Sequence, residues 1–293
     1  MTPCVQALAA PAAAAFLPGA CNGTFCDVED IAVLAQDALL SEVHTWPKPG
    51  LVSHIDAGSH DDMDCSTFEA SAESLLPYFR DIAAAGAAGM AMHGLRALGI
   101  QAEHAMMAAT GGVNTHRGAI FGVGLLCAAA GYRERMGVSD TLGDIVAWRW
   151  GASILGGPRP ADSNGISVLR RYGAGGARAE AAAGFPSLYR IALPALRQAR
   201  LLRPRDSEAQ RVQALFALVA EVEDTNLLHR GGPLGGSWAR AAARSFLVRG
   251  GIARPDWRES AAAIHREFVA RRLSPGGCAD LLAMALFVDS VGD

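Results

Sequence analysis

Along most of this chain apolar residues recur every three or four positions. Ile31, Leu34, Ala38 and Leu39 line one stripe, and Leu215, Leu218, Val219 and Val222 line another. That is the spacing of helices with one face in a core. The stretch holding Ile120, Val123, Leu125, Leu126 and Ala130 is apolar on nearly every side, which predicts a helix buried all round. Start signals agree. Ser66-x-x-Glu69 reads as a capping box ahead of FEASAESLLPYF, Ser207-x-x-Gln210 opens a segment running to Glu223, and Thr141 and Asp144 precede IVAWRW. Period-2 alternation bounded by hairpin turns is missing. The pattern predicts an all-α fold, a single globular multi-helix domain of about eight to eleven helices over residues 28–293.

Composition supports this reading. The chain has 293 residues, 51% hydrophobic but only 6% aromatic, so the core must come from small, closely packed side chains, which suit helices better than strands. Residues 1–27 read as a disordered or loosely packed tail. They contain no Lys or Arg, and Pro11 and Pro18 interrupt the apolar run, so neither a secretory leader nor a membrane span is expected. With a net charge of −3 and no long basic run, nucleic acid is not an expected partner. Cys4, Cys21, Cys26, Cys65, Cys127 and Cys278 form no C-x-x-C pair, which suits reduced thiols in a cytoplasmic protein.

Much of the glycine sits in polar junctions: KPG, DAGSH, TGGVNTHRG, GAGGARAE, HRGGPLGG and SPGGCAD. Loops ending helices are where backbone can approach a ligand. The stretch EVHTWPKPGLVSHIDAGSHDDMDCSTF holds Lys48, the one lysine among 26 Lys and Arg residues. Pro47 and Pro49 stiffen its surroundings, so it reads either as a fixed point charge for a phosphate or as a solvated loop lysine. Near it lie Glu42, His60, Asp61, Asp62 and Asp64. Crowded carboxylates suit Mg²⁺ shared with substrate phosphates, and equally a helix cap by Asp62 or Asp64.

In TGGVNTHRGAIF, residues Asn114, Thr115, His116 and Arg117 lead into the buried helix, whose first N–H groups favour anions. This is neither a Walker loop nor a Rossmann fingerprint, since no strand precedes it. In EVEDTNLLHRGG, Glu221, Asp224, Asn226, His229 and Arg230 fall at the end of an amphipathic helix. Acids are unfavourable at a helix C-terminus, so a metal or basic partner is one explanation and a plain solvated end the other. Asp280 falls in the first turns of the last helix, where the helix dipole accounts for it. His93, His104 and His265 lie in ordinary helical text.

Taken in order, EVHTWPKPGLVSHIDAGSHDDMDCSTF, GGVNTHRGAIFGVGLLCAAAG, GARAEAAAGFPS, DTNLLHRGG and SPGGCADLLA resemble the triphosphoribosyl-dephospho-CoA synthase family from about residue 30 to the C-terminus. The resemblance implies an all-helical transferase acting on ATP and 3′-dephospho-CoA. The 2′-hydroxyl of dephospho-CoA attacks C1′ of the ATP ribose and adenine leaves. The product, 2′-(5″-triphosphoribosyl)-3′-dephospho-CoA, is a prosthetic-group precursor for the acyl carrier subunit of malonate decarboxylase or citrate lyase, passed on to a phosphoribosyl-dephospho-CoA transferase. WPKPGLVSH looks closer to the malonate decarboxylase branch. The chain departs from the family at Arg117, often Lys, at Ala179, often Gly, and at Cys278, often Ser.

Displacement at an anomeric carbon needs a base, help for the leaving group and stabilisation of a cationic sugar. Glu42 or Asp64 is the expected base, with His116 as competitor. Lys48, His60, Asn114, Thr115, Arg117, Asn226, His229 and Arg230 are expected to bind substrate, and Asp62, Asp64 and Asp224 to hold Mg²⁺. A Mg²⁺-dependent hydrolase of an N-glycosidic or ADP-ribose-like bond is the alternative, and a non-catalytic helical scaffold a third reading.

Overall fold

Eleven α-helices follow one another among the residues that the computed structural model describes, 27–158 and 176–293. The tail 1–26, with Cys4, Cys21 and Cys26, and the first part of GAGGARAE lie outside the described residues. α1 (Val28–Val43), α2 (Cys65–Ala87), α3 (Met92–Ala109), α4 (Arg117–Met136) and α5 (Leu142–Gly156) come first. α6 (Gly176–Ala182), a π-helical turn (Leu188–Ala192), α7 (Leu193–Leu202), α8 (Ser207–Glu221), α9 (Thr225–Val248), a 3-10 turn (Gly251–Ala253), α10 (Trp257–Ala270) and α11 (Gly276–Ser290) follow. The described residues contain no strand, as the all-α reading expected.

α4 is the centre of the molecule. Ala119, Ile120, Val123 and every residue from Leu125 to Ala130 are buried, so this helix has no solvent face over its middle turns. It can be enclosed so tightly because its side chains are small. A Cβ at Gly86 of α2 would lie 1.9 Å from the Ala128 carbonyl oxygen, and one at Gly131 would lie 2.1 Å from that of Ala83. The two backbones therefore meet with no side chain between them. α11 is buried in the same way through Leu281, Leu282, Met284, Phe287 and Val288, and packs against α1, α4 and α8.

The helix starts fall one to two residues before the expected caps. Asp64 caps α2, as one reading of the acid cluster expected, in place of Ser66, and its box partner is Thr67 rather than Glu69. Asp206, not Ser207, caps α8. An aspartate one or two residues outside a serine offers its carboxylate to the first N–H groups of the helix, with a full charge toward the helix dipole. Thr141 caps α5 as expected. The segment expected to run to Glu223 stops at Glu221, and Asp224 caps the next helix. Its carboxylate thus sits at a favourable N-terminus rather than at an unfavourable C-terminus. The HRGGPLGG junction is crossed by α9, which kinks at Gly232 (φ 61°) just before Pro233.

Candidate active site

Residues 44–64 join α1 to α2 without a helix, and their path is set by distant elements. The Trp46 N–H donates to Glu208 of α8 at 3.1 Å, and Arg211 of the same helix donates to the Thr45 hydroxyl at 2.6 Å. Ser59 donates to the Leu273 carbonyl at 2.7 Å. His265 of α10 is buried against the Lys48 carbonyl, with Nδ1 at 2.5 Å, and pairs through Nε2 with Asp56 at 3.1 Å. A histidine in ordinary helical text therefore fixes the loop.

So anchored, the loop turns Lys48 inward. Lys48 is 1% exposed, and its ammonium donates to Glu42 Oε1 at 2.6 Å and to the Glu42 carbonyl at 2.8 Å. Burial lowers the lysine pKa, and the Glu42 carboxylate opposes that shift. Lys48 is neither a solvated loop lysine nor a rim charge. It is half of a buried ion pair with one N–H to spare.

Beside this pair lies His116, 4% exposed at the N-cap of α4. Thr115 donates to Ser71 Oγ at 2.7 Å, which leaves the Ser71 proton for His116 Nδ1, also at 2.7 Å. That network assigns the ring proton to Nε2. Nε2 is buried and has no hydrogen-bond partner among the described residues. Burial, and then the Lys48 charge, push the His116 pKa down to about 3. At neutral pH His116 is thus an uncharged N–H donor rather than a proton acceptor.

Two further carboxylates lie at the starts of α9 and α11, Asp224 buried and Asp280 half-buried. Asp224 is 4% exposed. One of its oxygens accepts from the N–H groups of Asn226 and Leu227, the other from that of Cys278 at 2.8 Å, so it ties the start of α9 to the start of α11. Asp280, one turn into α11, is turned inward against α4, where a Cβ at Gly118 would lie 1.9 Å from its Oδ2. Only a glycine lets this carboxylate approach the first turn of α4. Burial raises the Asp280 pKa well above the carboxylate range, and the negative charges of Glu42 and Asp224 raise it further, opposed by the Ala119 N–H.

Other expected residues form a rim. Arg230 donates to His60 Nδ1 at 3.2 Å and to the Ser59 carbonyl at 3.1 Å, while His60 Nε2 meets Ser274 Oγ at 3.0 Å. Arg117 is exposed and paired with Glu103 at 3.0 Å, and its own N–H donates to Asn114 Oδ1 at 3.3 Å. Asn226 packs against Gly276, and His229 is exposed. Asp62 is exposed with His60 3.8 Å away, and Asp61 pairs with Arg272. Asp64 is exposed, and Oδ1 accepts from Ser66 and from the N–H and hydroxyl of Thr67; these bonds hold its pKa below the usual range.

The fold thus joins Glu42 to Lys48, Thr115 to His116, and His60 to Arg230. It does not gather Asp62, Asp64 and Asp224 within ligand distance of one another. A shallow groove of about 500 Å³, lined by Ser237, Arg240, Arg244 and Val248, contains none of these groups. Sequence reasoning missed Ser71, Gly118 and the interior place of Asp280. Ser71 gave no signal, being one serine in a helix. Gly118, between Arg117 and the buried helix, and Asp280, two residues past Cys278, were visible but had no spacing to link them.

A family model described as ATP:dephospho-CoA triphosphoribosyl transferase matches residues 28–293. The chain is similar to a Pseudomonas aeruginosa protein (41% identical, 89% of this chain and 90% of that one) and to a Pseudomonas putida protein (41%, 90% and 95%). It is also similar to an Acinetobacter calcoaceticus protein (36%, 90% and 93%). All three carry the name "Probable 2-(5″-triphosphoribosyl)-3′-dephosphocoenzyme-A synthase". No solved structure matches the chain.

Proposed function

The chain belongs to the ATP:dephospho-CoA triphosphoribosyl transferase family, and from that premise we propose that it joins ATP to 3′-dephospho-CoA with loss of adenine. The observation that carries this reading is the placing of polar groups: the Lys48–Glu42 pair, His116 and Asp224 buried, with Arg117 and Arg230 exposed. A ribose losing its base develops positive charge at C1′, and the oxygens of Glu42, Asp224 and Asp280 suit that centre. The triphosphate is anionic, and Arg230 and Arg117 suit it at the rim.

Among these groups Asp280 is the best base for the 2′-hydroxyl. Its raised pKa gives its carboxylate more proton affinity than Asp64 has, whose hydrogen bonds lower it. Glu42 is committed to Lys48 and holds that ammonium in place. His116 Nε2–H, unpartnered and unprotonated at the other nitrogen, donates to the departing adenine or to a sugar oxygen. Lys48 keeps one N–H for the substrate.

Mg²⁺ belongs to this proposal as part of the nucleotide complex, where it neutralises phosphate charge. Asp62 is the rim carboxylate free to meet it, because Asp64 is occupied as a cap and Asp224 by three N–H groups. We place the product in prosthetic-group supply for malonate decarboxylase on the form WPKPGLVSH, with a phosphoribosyl-dephospho-CoA transferase as the consuming enzyme.

The test is incubation with ATP and dephospho-CoA, followed by mass spectrometry of the nucleotide product and assay of free adenine. Adenine release that depends on dephospho-CoA, together with the coupled product, supports the transferase. Ribose triphosphate formed from ATP alone would instead identify a hydrolase.

A further inference from the structure

The loop that carries Lys48 and His60 begins and ends at one cluster of donor atoms. His44 is the C-cap of α1, Cys65 is the first residue of α2, and Glu69 lies one turn further along α2. His44 Nε2 is 2.7 Å from Glu69 Oε1, and Cys65 Sγ is 3.7 Å from the same oxygen. One donor atom from each residue lies within 4.8 Å of the other two. We propose that His44, Cys65 and Glu69 bind a Zn²⁺-class ion that clasps the two ends of this loop.

A surface His–Glu pair with a thiol beside it is the plain alternative, and three observations weigh against it. The donor set is imidazole nitrogen, thiol sulfur and carboxylate oxygen, the mixture that selects Zn²⁺ over Mg²⁺. The geometry needs little adjustment. Around a tetrahedral zinc, neighbouring donors sit about 3.3–3.7 Å apart, so the His44–Glu69 contact has to open by only about 0.6–1 Å. A second imidazole is also close: the His54 ring stands edge-on to His44, with centroids 6.2 Å apart. His54 or a water completes the fourth position.

Proton balance is simple. The Cys65 thiol donates to Glu69, and the His44–Glu69 contact needs a proton on Nε2. A dication between them takes the place of both protons. The thiol proton is released to solvent, and His44 moves its proton from Nε2 to Nδ1, so one proton leaves for each ion bound. Side-chain exposures of 45% for His44 and 42% for Glu69 give the ion a way in. The inference is independent of the proposed reaction.

The test uses the full-length protein, stripped with chelator and titrated with Co²⁺ as a coloured substitute for Zn²⁺, with Zn²⁺ competition afterwards. The expected result is one equivalent with a thiolate-to-cobalt charge-transfer band. Calorimetry in two buffers should show one proton released, and Zn²⁺ should raise the Tm. Cys65→Ser should abolish the band and weaken Zn²⁺ binding by more than the ~10–100-fold that loss of an outer-shell partner costs. His44→Asn should weaken binding with circular dichroism unchanged, which guards against a folding defect in either variant. A titration without the thiolate band, or one unaltered by Cys65→Ser because the tail thiols Cys4, Cys21 and Cys26 account for it, overturns the proposal.

Discussion

The same residue type does opposite work in two parts of this molecule. Asp61, Asp62 and Asp64 stand in solvent where the loop meets α2, with Arg272, His60 and Thr67 as their respective neighbours. Asp224 is buried between the starts of α9 and α11, and the half-buried Asp280 faces the first turn of α4; desolvation raises the pKa of both. In the sequence the crowded trio and Asp224 look like the chemical centre, and Asp280 looks incidental. Desolvation, not local density of charge, decides which carboxylate has its pKa raised.

Asp280→Asn should break this contrast most sharply. Turnover should fall about 10²–10⁴-fold, the usual contribution of a positioned base, while the fold survives. The Tm should rise at neutral pH. The folded-state pKa of Asp280 is raised, so wild-type stability is fully present at low pH and declines as pH rises through that pKa. An amide carries no such penalty, and the advantage of the variant should vanish on acidification. A variant that keeps normal turnover removes Asp280 as the base.

Next in size is Lys48→Met. It leaves the Glu42 carboxylate buried without a partner, a loss of about 3–5 kcal/mol measured from the denaturant midpoint. Adding Glu42→Gln should restore most of it. If Lys48 were an exposed phosphate ligand, the single variant would raise the ATP KM and leave stability alone.

Periodicity and composition were enough for the all-α fold and the enclosed α4, because a core of small side chains imprints the 3.6-residue period directly. The candidate site was legible only in part. Lys48, Glu42, His116 and Asp224 stood out because polar residues beside glycine junctions have few structural reasons to be there. The ion pair could not be read, since it depends on α8 and α10 pulling residues 44–64 inward through Trp46, Thr45 and His265. Nor could Ser71 be linked to His116, a contact across 45 positions of chain.

Gly118→Ala should come third. Its methyl group would meet Asp280 Oδ2 at 1.9 Å, so the carboxylate has to move. A displacement on the order of 1 Å can cost ~10²-fold in rate, and turnover should fall by about that much with the ATP KM little changed. Loss of turnover equal to that of Asp280→Asn, with no rise in Tm, would mean that α4 itself had been distorted.

Asp64 gives the smallest expected effect and the sharpest reading of the rim. Asn is as good an N-cap as Asp, so Asp64→Asn should leave both the Tm and turnover nearly unchanged, whereas Asp64→Ala should lower the Tm slightly and leave turnover alone. A base or an essential metal ligand would behave differently, because Asn lacks the proton affinity of a carboxylate and its charge. Measuring kcat for the Asn variant therefore separates capping from chemistry without disturbing the helix. A fall of about 100-fold would return the chemistry to the exposed trio and dissolve the contrast between surface and interior.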